Sequence, residues 1–252
     1  MRVTPVSIQP LDFADIPTCA KITAAAFAVD PHTIVKQLGR QPFDMFTISS
    51  SSLEDYLKRP NLVCVKAVDE QGTIVGHASW TIKDAEQRPT PSESPGDDEK
   101  SAEKDDHAAE PDKTQGSDET GGDPIERLHA LEDADMQYWL QNLVPRDKPR
   151  MIVLGLIVSL SCQRKGIGSA LLRHGNAIAD DRGLPIWVHS SHQAYNLYKK
   201  GGFETRRELR IDLDEYAPRP PRDGEPTMVG HLDGKWGEYV IRYMERKPSG
   251  HR

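Results

Sequence analysis

Residues 150–172, RMIVLGLIVSLSCQRKGIGSALL, constrain the fold more than any other stretch. The run from Met151 to Leu160 is apolar almost without a break. That predicts a strand covered on both faces, hence a central place in a sheet. Arg164 and Lys165 then lead into Gly166 and Gly168, and from Ile167 the positions Leu171, His174 and Ile178 recur at helical spacing up to Gly183. Strand, glycine turn and helix in succession make a ready anion site. The first helical N–H groups lack internal partners, the helix dipole is positive there, and glycine lets a phosphate approach the backbone.

The flanks read as alternating strands and helices. PVSIQP predicts a short strand, and Ile16 to Phe27 a helix with Asp12 or Asp15 as N-cap. SSSLEDYLKRP predicts a helix capped by Ser51 or Ser52 and stopped by Pro60. NLVCVKAVDEQGTIVGHASWTI predicts a hairpin turning at Gly72. PIERLHALEDADMQYWLQNLV predicts a helix. Beyond Gly183, LPIWVH, FETRRELRID and EYVIRYMERK predict strands and QAYNLYKKG a short helix. The class is α/β (α+β), a sheet flanked by helices.

Residues 84–123 interrupt this pattern. From Asp84 to Pro124 there are fourteen acidic and four basic residues and no Ile, Leu, Val, Phe, Tyr or Trp. Such a segment cannot bury enough apolar surface to offset the entropy of ordering, so it is expected to be a disordered acidic insertion. It carries −10 of a formal net charge of −7, which leaves the rest of the chain at +3. A single domain of residues 1–83 and 124–252 is therefore expected, mildly basic despite the acidic total. No segment has the roughly 20 apolar residues of a membrane span. MRVTPVSIQP lacks the apolar run of a signal peptide, and Cys19, Cys64 and Cys162 stand far apart with no CxxC. No metal centre or disulfide framework is expected, and the cytoplasm is the expected location, with the nucleus left open.

The glycine turn matches neither of two familiar phosphate loops. A Walker A loop needs GxxxxGK[ST], and a dinucleotide fingerprint needs a third glycine where Leu171 stands. What remains is Gln-x-x-Gly-x-Gly, equally consistent with phosphate binding and with tight strand–helix packing. LIVSLSCQRKGIGSALL resembles the acetyl-CoA-binding segment of the GNAT N-acetyltransferase superfamily, whose pattern is [Gln/Arg]-x-x-Gly-x-[Gly/Ala] after an apolar strand. Downstream, QAYNLYKKGGF resembles the family's Ala-x-x-Leu-Tyr-x-x-x-Gly-Phe block, in the family's order.

The resemblance implies a mixed sheet splayed near its middle, with acetyl-CoA in the cleft. It implies a pyrophosphate site at Gln163, Arg164, Lys165, Gly166, Ile167, Gly168 and Ser169. It also implies pantetheine contacts from the strand Leu156-Ile157-Val158, and a contact from Asn196 to the pantetheine or to the cofactor's phosphate end. The implied function is acetyl transfer to a primary amine by direct attack in a ternary complex, with Tyr198 as the acid for the CoA thiolate. The alternative is a catalytically inactive CoA-binding or regulatory module. Some relatives carry a glutamate base on the strand matching MIVLGLIV, and this chain has none there. His189, at a strand end, is the first candidate base, ahead of His77 and Glu132. Ser191 stands where many relatives have Asn, which leaves that contact open. Cys162 and the tryptophans Trp80, Trp139 and Trp187 read as packing residues. RRELR, Arg206 to Arg210, reads as a solvated strand face without the aromatic platform of a nucleic-acid site. The final strand follows a long Pro/Gly-rich connection and is a candidate for pairing across a homodimer. The acceptor amine is not specified.

Overall fold

The computed structural model describes residues 5–83, 122–228 and 234–250. The expected insertion at 84–123 lies outside the described residues except for its last two.

Seven strands form one sheet in the order β1-β2-β3-β4-β5-β7-β6. They are β1 (Ser7–Pro10), β2 (Leu62–Val68), β3 (Ile74–Lys83), β4 (Arg150–Val158), β5 (Ile186–Ser190), β6 (Glu204–Asp212) and β7 (Glu238–Arg246). Every pairing is antiparallel except β4 with β5. The apolar strand β4 is thus the middle strand, as its composition requires. The helices are α1 (Ile16–Phe27), α2 (Pro31–Lys36), α3 (Met45–Lys58), α4 (Pro124–Tyr138), α5 (Ile167–Arg182), α6 (Tyr195–Lys200) and α7 (Leu213–Tyr216).

One face of the sheet is covered by α5. Leu171 and Leu172 pack there with Trp80, Met151, Val153 and Ile186. The opposite face carries two separate apolar clusters. Leu11, Ile16, Cys19 and Leu53 lie in one, over the half formed by β1–β4. Leu128, Trp139, Trp187, Tyr239 and Tyr243 lie in the other, over the β5–β7 half. This division follows the sheet itself. β4 and β5 pair only from Met151↔Ile186 to Val153↔Val188, and beyond Val153 they part. The expected splay is present, and it opens between the two clusters.

Two local features differ from the sequence reading. α3 begins at Met45, not near Ser51, because Asp44 caps it by accepting the Phe46 N–H at 3.0 Å. Ser52 lies inside the helix and donates to the Ile48 carbonyl at 2.9 Å. The helix α2 is too short for the sequence pattern to announce it. Asp30 starts it by accepting the Thr33 N–H and hydroxyl at 3.0 and 2.9 Å, with Pro31 at the first helical position.

β7 pairs with β5 on one edge and with β6 on the other, all within the chain. β5 takes Arg242–Arg246 on one edge and β6 runs along the other, so pairing within the chain accounts for most of this strand. The arginines of RRELR are also engaged. Arg206 pairs with Glu204 and Glu245, Arg210 with Glu208 and Glu238, and Arg207 with the buried Asp135. Each positive charge on this face meets a carboxylate, so it offers little net field to a phosphate backbone.

Candidate active site

The fork between β4 and β5 exposes backbone. The Ser159 N–H bonds to the Val75 carbonyl at 2.9 Å, and Gly76↔Val158 to Ser79↔Gly155 pair in antiparallel register. Peptide groups in such a ladder alternate in direction. Ser159, Ile157 and Gly155 therefore turn their backbone groups to β3, while Leu156 and Val158 turn theirs to the fork, where β5 no longer reaches. Of the three residues named for the pantetheine arm, the N–H groups of Leu156 and Val158 are open and that of Ile157 is consumed by His77. Between Ser79 and Trp80 the register slips, leaving Leu154 of β4 unmatched. A bulge of this kind bends a strand and sharpens its twist, here at the point where β4 leaves β5.

The glycine turn stands at the mouth of the fork. Arg164 and Gly166 both have positive φ, +58° and +87°. Gly166 is the N-cap of α5, a left-handed position that suits glycine. The first intrahelical bond runs from the Ala170 N–H to the Gly166 carbonyl at 3.0 Å. That leaves the N–H groups of Ile167, Gly168 and Ser169 without a helical acceptor, an anion site at the end of a sixteen-residue helix. Arg164, Lys165 and Ser169 are exposed around it. Gln163 has a further part: its side-chain amide donates to the Val158 carbonyl at 3.2 Å and ties the turn to the end of β4.

Gly168 belongs to packing as well as to the turn. A Cβ there would stand 3.3 Å from Leu197 Cδ2 and 3.7 Å from both Leu156 and Val158 side chains. The α5 N-terminus, β4 and α6 meet at this glycine. On α6, Tyr198 is buried, with its ring edge-on to Phe203 at 5.2 Å. Burial raises its phenol well above the usual value, so it is held protonated. Asn196 is exposed on the same helix. The Ser191 carbonyl accepts the Ala194 N–H at 3.2 Å at the entry to α6, so the turn is closed by backbone.

His189 is the first β5 residue past the last β4 pair. It is exposed, and its ring stacks on Tyr243 at 5.3 Å and tilts toward Trp139 at 6.4 Å. The other two candidate bases are occupied elsewhere. His77 faces α1: the Thr23 hydroxyl donates to the Cys19 carbonyl at 3.1 Å, so at 2.9 Å from His77 Nε2 it accepts that nitrogen's proton. Burial lowers His77 to about 4 and keeps it neutral. Glu132 is nearly buried. Burial alone would raise its carboxyl, but His32 and Lys36 outweigh it and hold the group at about 2. A carboxylate that weakly basic cannot take a proton from an ammonium near neutral pH. Trp80, Trp139 and Trp187 are all buried in the core. Among the described residues no cluster of three or more His, Cys, Asp or Glu could hold a metal ion, and no helix is long and apolar enough to cross a membrane.

A seven-stranded mixed sheet split between two parallel central strands, with a glycine turn at the fork, defines a GNAT-type acetyltransferase fold. The comparisons agree. Residues 131–205, from α4 into β6, match the family model described as the acetyltransferase (GNAT) domain. Among solved structures, arylalkylamine N-acetyltransferase 2 from Aedes aegypti superposes with a TM-score of 0.57 at 16% identity, covering 97% of this chain and 99% of that one. A Corynebacterium glutamicum protein described as histone acetyltransferase HPA2 and related acetyltransferase gives 0.52 at 21% identity, covering 98% of each chain. At these identities the likeness is one of fold. No curated protein matches the chain in sequence.

Proposed function

We propose that the chain is an acetyl-CoA-dependent N-acetyltransferase that passes the acetyl group to a primary amine by direct attack in a ternary complex. The observation that carries this reading is the fork itself: open N–H groups at Leu156 and Val158 run toward the unpaired first-turn amides of α5. One set suits the amide-bearing pantetheine arm and the thioester carbonyl, the other a pyrophosphate.

The chemistry follows from those positions. The amine must lose a proton before it can attack, since alkyl ammonium groups titrate near ~10. Its lone pair then adds to the thioester carbon, and the oxygen takes up negative charge against a strand N–H. One such donor is typically worth about 10²–10³ in rate. The C–S bond breaks, and the CoA thiolate takes a proton. Tyr198 is the proposed donor, a buried phenol held in its protonated form. The amine's proton leaves toward the β5–β7 half of the fork.

A second reading, a CoA-binding module without catalysis, is favoured by one observation: β4 brings no carboxylate to the fork. Thiol release from acetyl-CoA, measured with a panel of primary amines, separates the two. Release with at least one amine supports the enzyme. Tight CoA binding by calorimetry with no release from any amine supports the module.

A further inference from the structure

A second imidazole, His32 at the start of α2, lies over the β5–β7 half of the sheet, against Tyr239 of β7. Its Nε2 bonds to Glu132 of α4, one hundred residues away in sequence. Glu132 is ionised, so it accepts and the ring nitrogen keeps its proton. The remaining nitrogen, Nδ1, is then the one with a free lone pair. The ring is fixed in a second direction by stacking on Tyr239 at 4.7 Å, with 23° between the planes. Tyr239 in turn donates to Gln193 Oε1 at 3.2 Å, in the turn that leaves β5.

That turn is level with the open amides. Extending the β4–β5 register past Val153↔Val188 brings Leu156 about level with Ser190 or Ser191, and Val158 with His192 or Gln193. His32 therefore lies at the height of the fork where a thioester carbonyl would meet Leu156 or Val158. The other polar groups around it are committed. Asp30 accepts from Thr33 and, at 2.5 Å, from Gln193 Nε2, and the His192 Nδ1 accepts the Val240 N–H at 3.2 Å. Lys36 bonds the second Glu132 oxygen at 3.0 Å. His189 is exposed, with its ring against Tyr243 and Trp139.

We infer that His32, oriented by Glu132, is the group that takes the proton from the acceptor amine, directly or through one water, with Glu132 as its positioning residue. The step is a proton transfer from the ammonium, or from the nitrogen after it attacks, to His32 Nδ1. No other bond changes. The inference rests on the acetyltransferase reading.

The test uses the full chain with acetyl-CoA and an amine found active in the panel. His32→Ala should lower kcat about 10²-fold or more, abolish the acid limb of the pH–rate profile, and leave the Kd for CoA within a few fold. Added imidazole should restore part of the rate, which a structural role for the ring would not predict. Glu132→Gln should lower kcat by about tenfold, with Glu132→Asp between it and the native chain. His189→Gln should keep the acid limb. The inference is overturned if His32→Ala keeps the native rate and profile, or if His189→Gln removes the acid limb instead; the acetyltransferase reading survives either outcome. If the native chain binds CoA and acetylates no amine, the reading itself fails and the inference falls with it. Nitrogen-15 NMR of the native protein gives a check without turnover. His32 should be protonated on Nε2 in its neutral form, and a proton on Nδ1 instead overturns the inference.

Discussion

Gly175 of α5 lies directly against the indole of Trp80 on β3. A Cβ at that position would stand 2.5 Å from Trp80 Cε2 and Cζ2, closer than any side chain tolerates. Trp80 is fully buried and cannot swing away. The close approach sets how near α5 lies to the sheet, and with it where the glycine turn meets β4. Gly175→Ala should destabilise the fold by about 1–3 kcal/mol through overpacking, even though alanine favours helix. Urea denaturation checks this; an unchanged midpoint would show that the helix can shift freely.

The same packing shows which parts of this fold are legible in a sequence. β4, the glycine turn and α5 were readable because one unbroken apolar run and one glycine pattern dictate them locally. The left-handed N-cap at Gly166 and the closing Gly183 belong to that category. The start of α2 was also encoded, in Asp30-Pro31 with Thr33 three residues after the cap, but the run of six residues is too short for periodicity to announce it. The direction of each β4 peptide group was not legible. It depends on the register with β3 and on the slip beside Ser79, and an all-apolar strand shows no alternation from which to read it. The neighbours of the last strand were not legible for a related reason. Composition marks a strand but not its neighbours, and β7 inserts between β5 and β6. The His32–Glu132 pair joins distant residues whose meeting only the tertiary fold decides.

Gly166 and Gly168 should respond differently to alanine. At Gly166 the residue must adopt φ +87°, so Gly166→Ala should cost about 1 kcal/mol of stability and weaken CoA binding by disturbing the first-turn amides. At Gly168 the backbone is helical and the obstacle is Leu197, 3.3 Å from a new Cβ. Gly168→Ala should be milder. Gly168→Val should lose both CoA affinity and stability as the α5–β4–α6 junction opens. Calorimetry with CoA, paired with melting curves, separates the two effects. Equal losses of affinity from both alanine variants, without any change in melting, would contradict this division.

Tyr198→Phe should lower turnover most at high pH, where water supplies few protons to the thiolate, while the Kd for acetyl-CoA stays within a few fold. Burial raises the phenols of Tyr198, Tyr239 and Tyr243 above their ordinary value of 10.0. Each is neutral in the fold at a pH where the unfolded chain has begun to ionise. The unfolded state therefore binds fewer protons above pH ~10, and stability, complete below that, falls as pH rises. The slope should approach about 1.4 kcal/mol per pH unit for each tyrosine. Denaturation at pH 9, 10 and 11 measures it. Removing the Tyr198 phenol should reduce the slope by about one third, and an unreduced slope would mean that its hydroxyl is not buried in solution.

The expectation that residues 84–123 serve as a tether makes a separate prediction. Replacing residues 88–121 with a short Gly/Ser linker should leave the melting temperature within about 2 °C, because the described core makes its contacts without them. A large fall would show that the segment packs on the domain.

Two buried groups should respond to acid in two windows. His77 is held neutral by burial, lowered to about 4 from an ordinary 6.5, while in the unfolded chain it is free to charge. Below pH 6.5 the unfolded state binds a proton that the fold refuses, so stability falls as pH drops, until about pH 4. The shift corresponds to about 3 kcal/mol over that window. Glu132 behaves as a depressed acid. Its stabilising ionisation, at about 2 against an ordinary 4.5, is complete above pH 4.5 and is lost as pH falls toward 2. The windows barely overlap, so they can be assigned by variant. His77→Gln, whose amide can still bond to the Thr23 hydroxyl, should be less stable at pH 7 and lose most of the slope between pH 6.5 and 4.5, keeping the part that comes from His192, which burial also lowers. Glu132→Gln should keep the His77 slope there and weaken the dependence below pH 4.5, leaving the part carried by Glu225 and the other paired carboxylates. Urea midpoints at pH 7, 5.5, 4.5 and 3.5 distinguish the two, and a His77→Gln chain that retains the native slope above pH 4.5 would mean that another group carries it.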